Sequence, residues 1–186
     1  MKNIVILSAS VRNGRNSHRV ALYFKNYLTE NQIAEASILD LKDYDFPIFE
    51  ERLKFISAPS AQMLAFAKEV ENADGIILVT PEYNGGYPAS LKNVIDLLYA
   101  EWKRKPIAIA TVSAGAFAGS QVITSLQFSL WKIGALVVPA MFPVATVEKA
   151  FDENGVPSDP EGANKRAKNF LNELTWWMEA KQKMEA

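Results

Sequence analysis

Apolar positions along the chain follow two rhythms that take turns. Short unbroken runs, residues 4–7 (IVIL) and 75–80 (GIILVT) above all, fit strands buried on both faces. Elsewhere the apolar residues return at helical spacing. Val20, Ala21, Phe24, Tyr27 and Leu28 form one such stripe, and Met63, Phe66, Ala67 and Val70 form a second after Pro59. Leu91, Val94, Ile95 and Leu98 make a third, and Val122, Leu126, Leu130 and Ile133 a fourth. Residues 36–41 read as a second strand, more polar and so nearer an edge. Residues 106–112 read as a fourth strand, and 136–138 as a short fifth that stops before Pro139. A long amphipathic helix closes the chain through Ala167, Phe170, Leu171, Leu174, Trp177 and Met178.

Five strands alternating with five helices predict an α/β fold of three layers, a parallel sheet with helices on both faces. Right-handed crossovers restrict it to a doubly wound topology. Of the two common strand orders, five strands in 186 residues favour the flavodoxin-like 2-1-3-4-5 over the dinucleotide-binding one. There is no repeat, low-complexity tract or linker, so a single domain over residues 1–186 is expected. Ligands of such sheets bind beyond the carboxyl ends of the strands, where the winding reverses. That directs attention to the loops after strands one, three and four.

The first loop reads Ser8-Ala9-Ser10-Val11-Arg12-Asn13-Gly14-Arg15-Asn16-Ser17 and leads into a helix. A helix N-terminus offers free N–H groups and about half a positive charge. Hydroxyls and forked guanidinium groups add donors suited to a phosphate. Neither G-x-G-x-x-G nor G-x-x-x-x-G-K-[ST] is present, so side-chain donors and a terminal monophosphate are indicated. The plainer reading makes Asn16 or Ser17 a helix cap and the arginines solvated. His18, just inside the helix, reads as a surface histidine first and as a ligand contact second. The second loop, Thr80-Pro81-Glu82-Tyr83-Asn84-Gly85-Gly86-Tyr87-Pro88, turns sharply and presents aromatic surface beside polar edges, which suits a planar heterocycle. Alternatively it is a tight turn before a Pro88-initiated helix, with Glu82 a solvated carboxylate. Lys92, Asn93 and Asp96 on that helix read as a solvated face or a subunit contact. The third loop, residues 113–120 (SAGAFAGS), is built of small residues with one aromatic, and Ser120 is its candidate cap. In a 2-1-3-4-5 sheet these three loops converge.

Composition narrows the chemistry. The absence of cysteine excludes disulfides, thiol catalysis and thiolate-held metals. One histidine rules out a multi-histidine metal site and argues against a Ser-His-Asp triad. A net charge of -1 argues against nucleic acid as partner. The opening apolar run is too short for a secretory leader, and no stretch approaches the roughly 18 apolar residues that span a bilayer. A cytoplasmic protein without membrane contact is therefore expected.

The segments SxSVRNGRNSHRVA, TPEYNGGYPASLKNVIDLLYAEWKRKP and VSAGAFAGSQ resemble the NAD(P)H-dependent FMN reductases, with looser similarity through VEKAFDENG to the final helix. The PEYNGGYPASLKN stretch is the most specific of these. The resemblance implies bound FMN as cofactor and NADPH or NADH as electron donor. It implies that Ser10, Arg12, Asn16 and Ser17 hold the phosphate. Pro81, Glu82, Tyr83, Asn84 and Gly85 are implied to embrace the ribityl chain and isoalloxazine, with Ser113 and Gly115 against the ring. Ala9 stands where the family usually has glycine; alanine fits if the loop stays extended. Electrons would pass from the nicotinamide nucleotide through the flavin to a small acceptor such as free flavin, a quinone, an azo compound or a metal oxyanion. No side chain is assigned a catalytic role. The family also implies a homodimer or homotetramer, with Trp102, Trp176 and Trp177 as contact or core residues. Two other readings of the fold are an electron carrier and a flavin-binding module without turnover. The balance of 20 basic and 21 acidic residues lacks the acidic field a carrier uses to dock.

Overall fold

The computed structural model describes residues 1–185. Five parallel strands stand in the order β2-β1-β3-β4-β5. They are β1 (Asn3–Ser8), β2 (Glu35–Asp40), β3 (Gly75–Pro81), β4 (Pro106–Val112) and β5 (Leu136–Val144). The helices between them are α1 (Ser17–Glu30), α2 (Ala61–Asn72), α3 (Ala89–Leu97), α4 (Val122–Lys132), α5 (Val147–Ala150) and α6 (Pro160–Glu185). The predicted strand order is the one observed.

Alternation along the inner strands sorts the core into two halves. Ile4 and Ile6 of β1 face a cluster that takes in α1 and α6, while Val5 and Leu7 face α2, α3 and α4. The first half is rich in aromatics: Phe24 meets Phe142 edge-on at 4.9 Å between centroids and Phe170 at 5.3 Å. Each such ring, fully buried, contributes on the order of 2–3 kcal/mol. Trp102 lies in the second half and is fully buried, so it is a core residue rather than a surface contact. Ser60 caps α2 by accepting from the Met63 N–H at 3.2 Å. Among the described residues no helix is long and apolar enough to cross a membrane.

Two elements depart from the expectation. The fifth strand runs through Pro139 to Val144 instead of ending before it. Between the pairs Ile107↔Val137 and Ile109↔Met141, β4 advances two residues and β5 four. The extra residues form a bulge that holds Pro139, and β5 is an edge strand, where a missing N–H is tolerated. Beyond it the sequence makes α5, a single turn entered through Thr146 at φ 42°. The segment between β2 and α2 holds no strand or α-helix, only two short 3-10 turns. Asn93 of α3 secures it, accepting from the Phe49 N–H at 2.6 Å and donating to the Pro47 carbonyl at 2.8 Å.

Lys105 enters β4 as a buried amine, 3% exposed, donating to the carbonyls of Glu71 and Ala73 at the end of α2. Burial pulls its pKa down to about 8, with the Lys181 charge adding to the effect. The unfolded chain therefore binds more protons than the fold between pH 8 and the ordinary lysine value of 10.5, so folding stability rises with pH across that window. A neutral amine keeps the two N–H donors that the two carbonyls need. Thermal melts of the wild type should climb between pH 8 and pH 10, and Lys105→Met should lose that climb. Parallel pH profiles for the two proteins would contradict it.

Candidate functional site

The carboxyl ends of β1, β3 and β4 open on a cleft of about 370 Å³. Its first wall is the β1–α1 loop. Ala9 is buried at negative φ, its N–H donating to the Val79 carbonyl at 3.0 Å, so the chain leaves β1 extended and alanine fits where glycine is usual. The Ala9 carbonyl in turn accepts from Ser90 Oγ at 2.7 Å, tying α3 to the loop. Ser10 is buried with Oγ 2.6 Å from the Tyr83 hydroxyl, which joins the first wall to the second.

Arg15 is not a solvated arginine. Both of its terminal nitrogens pair with the Asp40 carboxylate at the end of β2, and it also donates to the Ser10 carbonyl at 2.7 Å. The pair is nearly closed to water, 12% and 8% exposed. Arg12 is exposed and lies over the Tyr83 ring, 5.4 Å from the centroid, a cation–π placement.

Neither candidate cap closes α1. Asn16 occupies the cap position without a side-chain bond to the helix; its Nδ2 donates instead to Glu148 Oε1 at 2.6 Å. Ser17 Oγ is buried and has no hydrogen-bond partner. An unsatisfied buried hydroxyl and an uncapped helix end thus belong to two adjacent residues that both line the cleft. A buried orphan donor costs about 1–3 kcal/mol, which a ligand oxygen would offset. The arrangement fits an anion.

His18 sits beneath this loop, outside the cleft. Its Nδ1 is 3.1 Å from Ser8 Oγ and 3.4 Å from Asp40 Oδ2. Serine and aspartate therefore address the same ring nitrogen, and no relay between them exists. Burial lowers the histidine pKa against the opposing pull of Asp40.

The second wall is a tight hairpin. Tyr83 and Gly86 exchange backbone hydrogen bonds of 2.8 and 3.0 Å around Asn84 and Gly85, which take φ of 52° and 80°. Positive φ at both central residues is the demand of a type I′ turn, and Asn-Gly meets it best. Glu82 is held rather than solvated: Oε2 accepts from the Gln121 N–H at 3.2 Å, at the start of α4. Gln121, not Ser120, precedes that helix.

The third wall is pinned to β5 and α5. Ser113 donates from N to the Val144 carbonyl and from Oγ to the Gly115 carbonyl at 2.8 Å. Thr146 and Val147 return backbone bonds to Gly115 and Ser113. Phe117, between them and α4, is 83% exposed.

Of the residues singled out from the sequence, Ser10, Arg12, Asn16, Ser17, Pro81, Glu82, Tyr83 and Ser113 line this one cleft. Asn84 and Gly85 shape the turn from its tip, and Gly115 serves the third loop through its carbonyl, all outside the lining. The lining also includes Gly14, Arg15, Val112, Ala114, Val147 and Glu148. The last two come from α5, and only the VEKAFDENG similarity touches them in the sequence.

A sequence model of the family described as NADPH-dependent FMN reductase matches residues 2–149. An NAD(P)H-dependent FMN reductase of Saccharomyces cerevisiae is 32% identical over 158 residues, 76% of this chain and 82% of the relative. A quinone reductase of Escherichia coli K12 is 31% identical over 141 residues, 73% of this chain and 72% of the relative. Among solved structures, the flavoenzyme NAD(P)H:(acceptor) oxidoreductase FerB of Paracoccus denitrificans superposes with a TM-score of 0.77 at 23% identity, covering 97% of this chain and 98% of its own. With that fold, the motifs in its loops and these relatives, the chain belongs to the NADPH-dependent FMN reductase family.

Proposed function

We propose that the cleft holds FMN and that the chain passes electrons from NADPH or NADH through it to a small acceptor, a free flavin or a quinone first among them. The observation that carries this is the unpartnered Ser17 hydroxyl, buried at the uncapped end of α1 in a residue that lines the cleft. The donor set there suits a phosphate monoester: Ser10, Asn16 and Ser17, the free α1 N–H groups and the Arg12 guanidinium. The hairpin of residues 81–85 and the turn at 113–115 would flank the ring. When bound, the flavin supplies the redox chemistry, taking hydride from a nicotinamide and giving electrons to the acceptor.

The chain's residues then bind, orient and stiffen. The Ser10–Tyr83 contact locks wall one to wall two, and the Glu82–Gln121 bond locks wall two to α4. Arg15, neutralised by Asp40, fixes the Ser10 carbonyl and with it the loop's path. The single histidine lies outside the cleft and cysteine is absent, so orientation of the ring carries the protein's share of the work. The similarity to an FMN reductase and to a quinone reductase supports these acceptor classes.

A visible spectrum of the purified protein, before and after anaerobic NADPH, tests the reading. We expect the bands of an oxidised flavin, bleached rapidly by the nucleotide and restored by a quinone. A colourless protein that FMN does not reconstitute would sink it. Bleaching that is very slow without a separate reductase would mark a carrier instead.

A further inference from the structure

The charges around the cleft do not add up to a strong anion trap. Four charged side chains line it: Arg12, Arg15, Glu82 and Glu148. Arg15 is neutralised by Asp40. Among the described residues, Arg12 has no ion pair and is the cleft's one free cation. Two carboxylates stand against it. Glu82 is occupied by the Gln121 N–H in the second wall. Glu148 is at the other end, and its Oε1 holds Asn16 Nδ2 at 2.6 Å, one residue from the orphan Ser17 hydroxyl. A carboxylate therefore sits on one of the donors that an incoming phosphate requires.

We infer that Glu148 sets the affinity of the cleft: its carboxylate, seated on Asn16 beside Ser17, opposes the flavin phosphate and keeps FMN exchangeable. The inference rests on the reading of the α1 end as a phosphate seat. Two effects act in the same direction. The ligand must take the Asn16 amide from Glu148, and a phosphate carrying about −1.5 to −2 charges at pH 7 must approach a like charge. Glu148 is exposed, so water and salt screen the repulsion, and it lowers affinity without closing the site. A weakened phosphate seat lets a flavin leave after reduction, which suits a protein that reduces free flavin. A ligand without the phosphate, such as riboflavin, escapes both effects.

Glu148→Gln isolates the charge. Glutamine keeps a carbonyl oxygen for Asn16 Nδ2, and its exposed position leaves the fold intact, which a thermal melt checks. FMN and riboflavin are titrated into the flavin-free chain by fluorescence quenching, at about 10 mM and about 1 M salt, where the screening length falls from about 30 Å to about 3 Å. The variant should bind FMN about fivefold tighter at low salt, the gain shrinking below about twofold at high salt. Riboflavin affinity should be unchanged at both. An unchanged or weaker FMN affinity, or an equal gain for riboflavin, overturns the role of Glu148. If neither the wild type nor the variant binds FMN better than riboflavin, the cleft has no phosphate seat. That result removes the functional reading first and this inference with it. A wild-type preference for FMN that the variant leaves unaltered removes the inference alone.

Discussion

Ser17→Ala should move stability and cofactor affinity in opposite directions. The Ser17 hydroxyl is buried without a partner, so the flavin-free protein carries its desolvation cost with no return. Removing it should stabilise that form by about 1 kcal/mol, a rise of about 2–4 °C in melting temperature for a chain of this size. If the hydroxyl donates to the FMN phosphate, its loss removes a hydrogen bond to a charged group. Such bonds are worth about 1.5–3 kcal/mol, so FMN should bind about 10–100-fold more weakly. Riboflavin affinity should hold. Differential scanning fluorimetry of the flavin-free protein and a fluorescence titration with each flavin read both effects. A fall in the melting temperature would mean the hydroxyl has a partner in the flavin-free fold. Unchanged FMN affinity would remove it from the site. A hydroxyl kept for packing predicts no difference between the two flavins, which is what makes the pair of titrations decisive.

Why the sequence revealed the outline of this site but not its wiring follows from how far each contact reaches. Strand and helix patterns are local: the run at residues 4–7 and the stripe from Val20 to Leu28 carry their own periodicity. Strand order came from handedness and length rules, and the convergence of the three loops came with it. The Asn84-Gly85 hairpin was legible because its turn depends on two adjacent residues. The Arg15–Asp40 pair was not, since its partners lie 25 residues apart and become neighbours only when β2 lies beside β1. Asn16 and Glu148 are 132 apart and meet only because β5 is long enough to deliver α5 to the cleft. That length was hidden by Pro139, a strand breaker in the middle of a sheet but tolerated in the bulge of an edge strand. The cap reading of Asn16 and Ser17 failed for a related reason. Local preference favours a capped helix, and here the cap is left open where the cleft is.

The same remoteness governs the change expected to damage the fold most, Gly155→Ala. Gly155 closes the turn between the paired Phe151 and Pro157, at φ +80°. Asp152 organises that turn by accepting from the Asn154 and Val156 N–H groups at 2.9 and 2.7 Å. A Cβ at Gly155 would stand 2.5 Å from the Tyr23 nitrogen, 2.7 Å from the Arg19 carbonyl oxygen and 2.8 Å from Leu22 Cβ. The first two are backbone atoms of α1, which cannot yield as a side chain can. Overpacking of this kind costs about 1–3 kcal/mol, and the left-handed backbone adds about 1 kcal/mol for alanine. A loss of about 3 kcal/mol should lower the melting temperature by about 6–12 °C. The damage should also reach the cleft, because the turn presses on the helix whose first residue is Ser17. Flavin affinity should fall alongside stability, for riboflavin as well as FMN, since displacement of α1 shifts a whole wall rather than one donor. That pattern separates Gly155→Ala from Ser17→Ala, where FMN alone weakens and the flavin-free fold gains. A melting temperature within about 2 °C of the wild type, a change of no more than about 1 kcal/mol, would show that the turn lifts off α1 freely. The turn would then give α1 no rigid backing.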